Sequence, residues 1–273
     1  MNKKNIKIAF FDIDGTLTNN KKEVLSSTIN ALNRAHDMGI KLALCSGRSN
    51  EYLLKYANDF KNIDYLISSN GARIYDIKND TNIFTNTLKD NDVIDIYNYT
   101  NKKKLCLTIT SDVLAHINNY TPITNEDIYM RRIKNIEDIL NENLYQFIVV
   151  NNDLNKFIDL ENYLKTKQNI KLINYSLSYL KKEISDYYFF DIVGIDVSKG
   201  NAINKLLEYT KINKDETICF GDSVNDLEMF KSCGTKVAMG NAIDELKKES
   251  DYITDSNDND GISNYFQKYI FSD

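Results

Sequence analysis

Much that would point to a particular partner is missing from this sequence. It has no run of Lys and Arg, and 34 basic against 39 acidic side chains leave a net charge of −5. That balance gives no electrostatic reason to expect nucleic acid as a partner. No apolar stretch reaches the length of a secretory signal or a membrane span, and the opening Met1-Asn2-Lys3-Lys4-Asn5 runs straight into a strand-like segment. The four cysteines, Cys45, Cys106, Cys219 and Cys233, form no close pair, so no zinc or dithiol motif is visible. Cys45 and Cys219 end apolar runs and read as small buried hydrophobes. The two histidines, His36 and His116, have no companion ligands nearby and read as structural. Repeats and low-complexity linkers are absent too. Together these features predict a soluble, reduced, cytoplasmic protein without a membrane or nucleic-acid partner. With no coiled-coil period, a monomer is expected.

What is present centres on Ile6-Lys7-Ile8-Ala9-Phe10-Phe11-Asp12-Ile13-Asp14-Gly15-Thr16. β-Branched and aromatic residues dominate Ile6 to Phe11, which reads as a buried strand. Side chains alternate along a strand, so Asp12 and Asp14 leave its end on the same face. Two carboxylates held that close repel each other unless one takes a proton or a cation sits between them. Gly15 permits a tight turn and a close backbone approach to a ligand. The stretch alone also reads as a polar strand end followed by a turn.

Along the 273 residues the first third repeats a pattern. Ser26 is expected to cap a helix ending at Gly39; Lys41 to Cys45 is a strand ending in Ser46-Gly47-Arg48; a helix follows from Asn50 to Phe60; Asp64 to Ser68 is a strand ending in Ser69-Asn70-Gly71. Strand, helix, strand, helix, strand argues for a parallel sheet with right-handed crossovers. From about Ile83 to Asp191 helical and strand-like runs continue, including Ile170 to Tyr175 and Tyr187 to Ile192, but none ends in such a turn. After Ile192 the first style returns: Ser198-Lys199-Gly200-Asn201 opens a helix, Thr217 to Phe220 is a strand leading into Gly221-Asp222-Ser223-Val224-Asn225-Asp226, and Gly240-Asn241 is expected to cap a helix over Ala242 to Lys248. The expected fold is α/β, a doubly wound parallel-sheet core from residues 1–82 and 192–273, with an α+β domain inserted at 83–191.

Four polar clusters therefore lie just past strands or at helix starts: Asp12 with Asp14, Ser46-Gly47-Arg48, Lys199-Gly200, and Asp222 with Asn225 and Asp226. Strand C-termini of a parallel sheet share one edge, where such domains bind ligands. The residue types fit phosphoryl transfer, which needs a nucleophile, charge neutralisation and positioning. Asp12 can attack and form an acyl-phosphate, and Asp14 can serve as acid and then base. Asp12 and Asp222 can share a hard cation such as Mg²⁺. Lys199 supplies positive charge, while the Ser46 hydroxyl and nearby amides, Gly47 among them, donate to phosphate oxygens. Taken singly, the Ser-Gly-Arg segment is a turn and Lys199 a solvated charge; Asp222 to Asp226 lacks the alternating acids of a calcium loop.

The four ordered motifs Asp12-Ile13-Asp14-Gly15-Thr16, Ser46-Gly47-Arg48, Lys199-Gly200 and Gly221-Asp222-Ser223-Val224-Asn225-Asp226 resemble those of the haloacid dehalogenase superfamily. Ser69-Asn70-Gly71, Ala238-Met239-Gly240-Asn241-Ala242 and Asn259-Asp260-Gly261-Ile262 look like its Cof-type branch, in which the middle segment is a mobile cap of the second type. The resemblance implies a Mg²⁺-dependent phosphatase of small phosphorylated metabolites, sugar phosphates or nucleotides. It implies Asp12 as nucleophile and Asp14 as acid/base. Metal would be held by the Asp12 side chain, the Asp14 carbonyl and Asp222, with Asp226 supporting the site from behind or through water. Ser46 and Lys199 would hold phosphate, and Asn225 would face the substrate. An acid two positions after the nucleophile marks the hydrolases; the dehalogenases lack it. Two other readings stay open, a phosphosugar mutase and a non-enzymatic phospho-acceptor or metabolite-binding module. In the middle segment, Arg131-Arg132 reads as surface charge or as a contact for a second anionic group, and Tyr187-Tyr188-Phe189-Phe190 as a core strand or a pocket lining.

Overall fold

The computed structural model describes residues 5–58, 60, 62–122, 130–174 and 188–272. Its chain separates into two compact units, one of Met1–Thr85 with Ser198–Asp273, the other of Asn86–Val197.

The first unit opens with β1 (Ile8–Phe11), α1 (Ser26–Asp37), β2 (Lys41–Cys45), α2 (Asn50–Ala57) and β3 (Tyr65–Ser68), then turns back through β4 (Arg73–Asp76) and β5 (Thr81–Thr85). The second unit carries α3 (Asp90–Lys103), β6 (Cys106–Ser111), β7 (Ala115–Ile117), β8 (Met130–Arg132), β9 (Leu144–Asn151), α4 (Leu154–Leu164), β10 (Ile170–Asn174) and β11 (Tyr188–Gly194). The chain then re-enters the first unit with α5 (Lys199–Thr210), β12 (Thr217–Gly221), α6 (Asp226–Ser232), β13 (Thr235–Ala238), α7 (Asp244–Glu249), β14 (Tyr252–Ile253) and α8 (Gly261–Tyr265).

The sheet of the first unit runs β14-β13-β12-β1-β2-β3-β4-β5 among the described residues. From β14 to β3 every neighbouring pair is parallel; β4 and β5 add an antiparallel edge. Burial explains the run Ile8-Ala9-Phe10-Phe11: all four residues of β1 are out of water, because helices cover both faces of a central parallel strand. Each such fully buried large side chain stabilises the fold by about 1.5–3 kcal/mol. Phe11 stacks on Phe220, ring centroids 5.2 Å apart, and Phe220 on Phe266 at 5.7 Å, which ties β1, β12 and the C-terminal segment into one core. Helix α1 buries Ala31, Leu32 and Ala35, one stripe at helical spacing.

Two helix starts differ from expectation. Ser26 is the first helical residue of α1, and Leu25, still extended, holds the cap position with no side-chain hydrogen bond. Helix α7 begins at Asp244, because Asn241 is engaged elsewhere: its Nδ2 donates to the Gly15 carbonyl at 2.7 Å and its Oδ1 accepts from the Asn257 amide at 3.0 Å.

The sheet of the second unit runs β10-β11-β9-β6-β7-β8, antiparallel except for the parallel β7–β8 pair. Val93, Ile96, Phe157 and Leu160 of its two helices pack with Leu107, Ile109, Phe147, Val149, Phe190 and Ile192 of its strands. Tyr188 to Phe190 thus belong to a core strand, with the Phe157 ring edge-on to Phe190 at 4.3 Å. Tyr187, and the Tyr175 end of the run from Ile170, lie outside the described residues. Arg131 and Arg132 are exposed on β8, and Arg132 donates to the backbone carbonyls of Asn118 and Thr121. Among the described residues no helix is long and apolar enough to cross a membrane.

Candidate active site

Strand β1 lies between β2 and β12, with one set of crossovers leading away on each side. This is the switch point of a doubly wound sheet, where the diverging connections leave a crevice at the strand C-termini. Asp12 follows β1 directly, Ser46 follows β2, and Asp222 follows β12. Lys199 comes to the same place from a helix start, because Ser198 caps α5 by accepting a hydrogen bond from the Asn201 amide at 3.0 Å.

Four of the expected residues meet by direct contact. Lys199 Nζ donates to Asp12 Oδ1 at 2.5 Å and to Asp226 Oδ1 at 2.6 Å, and its ammonium is wholly shielded from solvent. The other Asp226 oxygen accepts from the amides of Asp222 at 2.9 Å and Ser223 at 3.0 Å. Asp226 therefore shapes the loop after β12 and holds Lys199 in one gesture. Thr16 Oγ1 donates to Asp222 Oδ1 at 2.9 Å, which fastens the loop after β1 to the loop after β12. Gly15 stands at φ 84°, and its carbonyl receives the Asn241 amide. A left-handed residue there suits glycine, and the turn brings Thr16 back to Asp222.

Asp12, Asp222 and Asp226 are buried, and each offers an oxygen within 4.8 Å of the others. Burial pushes the Asp12 carboxyl well up; Lys199 opposes this, while the charges of Asp226 and Asp222 add to it. The reciprocal effect appears on Lys199: burial alone would lower its ammonium, but Asp12 and then Asp226 drive it upward. Three buried carboxylates gather around one ammonium, and an all-oxygen donor set of that kind is suited to a hard divalent cation.

Asp14 is not turned toward this cluster in the same way. Its Oδ2 accepts from Arg48 Nε at 2.5 Å, and its Oδ1 from Arg48 Nη2 at 2.8 Å and Lys22 Nζ at 2.8 Å. Burial alone would raise this carboxyl, but Arg48 and then Lys22 outweigh it and bring it down to about 2. Arg48 is itself steadied by the Tyr52 ring, 4.1 Å from its guanidinium carbon. Ser46 is buried in the turn after β2; its Oγ accepts from the Arg48 amide at 3.2 Å, and Gly47 beside it is half-buried. Asn225, half-buried before α6, donates from Nδ2 to Asn70 Oδ1 at 3.1 Å.

Arg48, Thr16, Asn70 and Asn241 were not expected to act in the site. Each lies inside a motif that the sequence displays, so the segment was visible, but its partner in space was not.

A buried carboxylate–ammonium cluster at the switch point of a parallel sheet marks this crevice as the candidate active site. Residues 9–266 match the family profile of the haloacid dehalogenase-like hydrolases, and the chain belongs to that family. A 5-amino-6-(5-phospho-D-ribitylamino)uracil phosphatase of Bacillus subtilis is 26% identical over 295 residues, spanning 97% of this chain and 98% of its own. A phosphoglycolate phosphatase of Methanobrevibacter smithii is 25% identical over 267 residues, spanning 97% of this chain and 99% of its own. The crystal structure of a haloacid dehalogenase-like hydrolase from Bacteroides thetaiotaomicron matches with a TM-score of 0.83 at 28% identity, over 96% of this chain and 99% of that one. Within the family the chain falls among the phosphoric monoester hydrolases.

Proposed function

We propose that the chain hydrolyses phosphomonoesters of small metabolites, sugar phosphates or nucleotides, in a Mg²⁺-dependent reaction through an aspartyl-phosphate on Asp12. The observation that carries this reading is the buried contact of Asp12, Lys199 and Asp226 beside Asp222. The relatives' names support the substrate class, since the compounds they cite are small phosphomonoesters.

In this reading an Asp12 carboxylate oxygen attacks phosphorus, an acyl-phosphate forms, and the ester bond to the alcohol breaks. Lys199 fixes the Asp12 carboxylate from one side and offers positive charge to the phosphate. Ser46, Gly47 and Asn225 are assigned to the phosphate oxygens. Asp14 gives a proton to the departing oxygen, then takes one from the water that attacks the acyl-phosphate. In the observed arrangement Asp14 is an ionised carboxylate in the grip of Arg48, the form that accepts a proton. Giving one requires that it first be protonated and loosened from Arg48. The Asp12 and Asp222 carboxylates and the Asp14 carbonyl would hold Mg²⁺, with Asp226 behind them. Mg²⁺ when bound supplies neutralisation of the phosphate and carboxylate charge. Choice of substrate is assigned to the inserted unit, Asn86–Val197, acting as a cap.

The test is release of inorganic phosphate from p-nitrophenyl phosphate with Mg²⁺. Asp12→Asn keeps the size of the side chain and removes the nucleophile, so turnover should disappear. Full activity in that variant would remove Asp12 from the role.

A further inference from the structure

The turn Ser69-Asn70-Gly71 is built at odds with its own residue types. All three stand in the left-handed region, at φ 48°, 58° and 102°. Glycine adopts that conformation freely and asparagine tolerates it, whereas serine rarely does. The segment is also buried, so neither solvent nor a loose edge explains it. Such a conformation persists only where the surroundings over-determine it.

The surroundings here are three parts of the site. The Ser69 amide donates to the Arg48 carbonyl at 2.8 Å and the Asn70 amide to the Ser46 carbonyl at 3.0 Å. Gly71 lies against the cap of α5: a Cβ placed on it would come within 2.3 Å of the Ser198 carbonyl oxygen, one residue before Lys199. The Asn70 side chain then receives Asn225 Nδ2 at 3.1 Å. A primary amide nitrogen carries two protons, so engaging one sets the direction of the other.

We propose that Asn70 is a positioning residue: pinned in a left-handed turn between the Ser46–Arg48 turn and the start of α5, it orients the Asn225 amide toward the substrate's phosphate. The proposal rests on the reading of Asn225 as a phosphate contact. It gives the strained turn a task, that of referencing one phosphate donor to the segments that carry Ser46 and Lys199. The backbone bonds to Ser46 and Arg48 and the packing of Gly71 on Ser198 hold the turn in this conformation, and with it the Asn70 side-chain carbonyl.

The test measures inorganic phosphate binding by calorimetry in the presence of Mg²⁺, with KM and kcat for p-nitrophenyl phosphate alongside. Asn70→Gly suits the left-handed backbone and removes the side-chain amide, with it the acceptor for Asn225. It should weaken phosphate binding and raise KM about fivefold, with a smaller change in kcat and an unchanged melting temperature. Asn225→Ala should weaken binding by at least as much, and the double variant should be no weaker than Asn225→Ala alone, because the two act as one unit. Should Asn70→Gly fail to fold, Asn70→Asp tolerates the same conformation and keeps an acceptor, and in it Asn225→Ala should weaken phosphate binding as much as it does in the native chain. Wild-type phosphate binding in Asn70→Gly, losses in Asn70→Gly that multiply with that of Asn225→Ala, or an Asn70→Asp background in which Asn225→Ala changes nothing, would overturn the brace. Wild-type binding in Asn225→Ala would instead remove Asn225 from the phosphate site, and the brace with it.

Discussion

Arg48 grips the Asp14 carboxylate with two nitrogens at once, Nε 2.5 Å from Oδ2 and Nη2 2.8 Å from Oδ1. A planar fork on a planar carboxylate fixes direction as well as charge. If Asp14 supplies the leaving-group proton, Arg48 decides where that carboxyl waits. Arg48→Ala should then slow turnover of an alkyl phosphate about tenfold, roughly 1.4 kcal/mol in the barrier. A nitrophenyl phosphate, whose leaving group departs without a proton, should lose much less. Measuring kcat for both substrates checks this, and equal losses would assign Arg48 a role that does not pass through Asp14.

The same grip links folding to acid. The Asp14 carboxyl is brought down to about 2 in the folded chain, against about 3.9 for an unperturbed aspartate. On lowering the pH the unfolded chain takes up this proton first, so the depressed group stabilises the fold above its unfolded value and ceases to do so as pH falls through about 2. Arg48 and Lys22 are the charges that face it. The difference in urea midpoint between the native chain and Asp14→Asn, measured in chelator, should be full at pH 6 and close to zero near pH 2. A difference that does not change with pH would show that shape rather than charge holds Asp14.

Lys199 is bonded to two of the buried carboxylates at once, Asp12 and Asp226. Removing one member of a buried ionic group leaves its partners charged and unpaired, which costs about 3–5 kcal/mol. Lys199→Met in chelator should lose stability in that range by urea unfolding, beyond any effect on catalysis. Adding Asp226→Asn should return part of the loss, since one stranded charge is then gone. A Lys199→Met variant within about 1 kcal/mol of the native chain would mean that the carboxylates shed their charge at little cost.

The elements that carry these residues were legible for a simple reason. Parallel strands such as Ile8–Phe11 and Thr217–Gly221 are buried on both faces, so they stand out as short apolar runs, and the residue after each run must lie on one edge. That places Asp12 and Asp222 without any knowledge of their contacts. The antiparallel edge β4–β5 was not legible, because Thr81–Thr85 is largely exposed and shows no apolar alternation. Nor was the start of α7: Gly240-Asn241 has the chemistry of a cap, but the carbonyl of Gly15, distant in sequence, takes the Asn241 amide. Arg48 illustrates the same limit. Its motif was plain, while its partner Asp14 depends on how two loops face each other across β1 and β2.

The division between Asp222 and Asp14 can be read out with the cation alone. Asp222 lies in the buried group whose oxygens fall within 4.8 Å of one another, whereas the Asp14 carboxylate is bonded to Arg48 and Lys22. A ligand that binds only the folded state raises its melting temperature, by more the further its concentration exceeds the dissociation constant. Mg²⁺ without substrate should therefore raise the melting temperature of the native chain, and EDTA should reverse the shift. Asp222→Ala should abolish the response, because a hard cation loses one of its few carboxylates. Asp14→Asn should keep most of it, since the proposed contact at that position is the backbone carbonyl, which the substitution leaves in place. An Asp14→Asn variant as unresponsive as Asp222→Ala would put the Asp14 carboxylate itself on the metal and require that Arg48 release it before the cation binds.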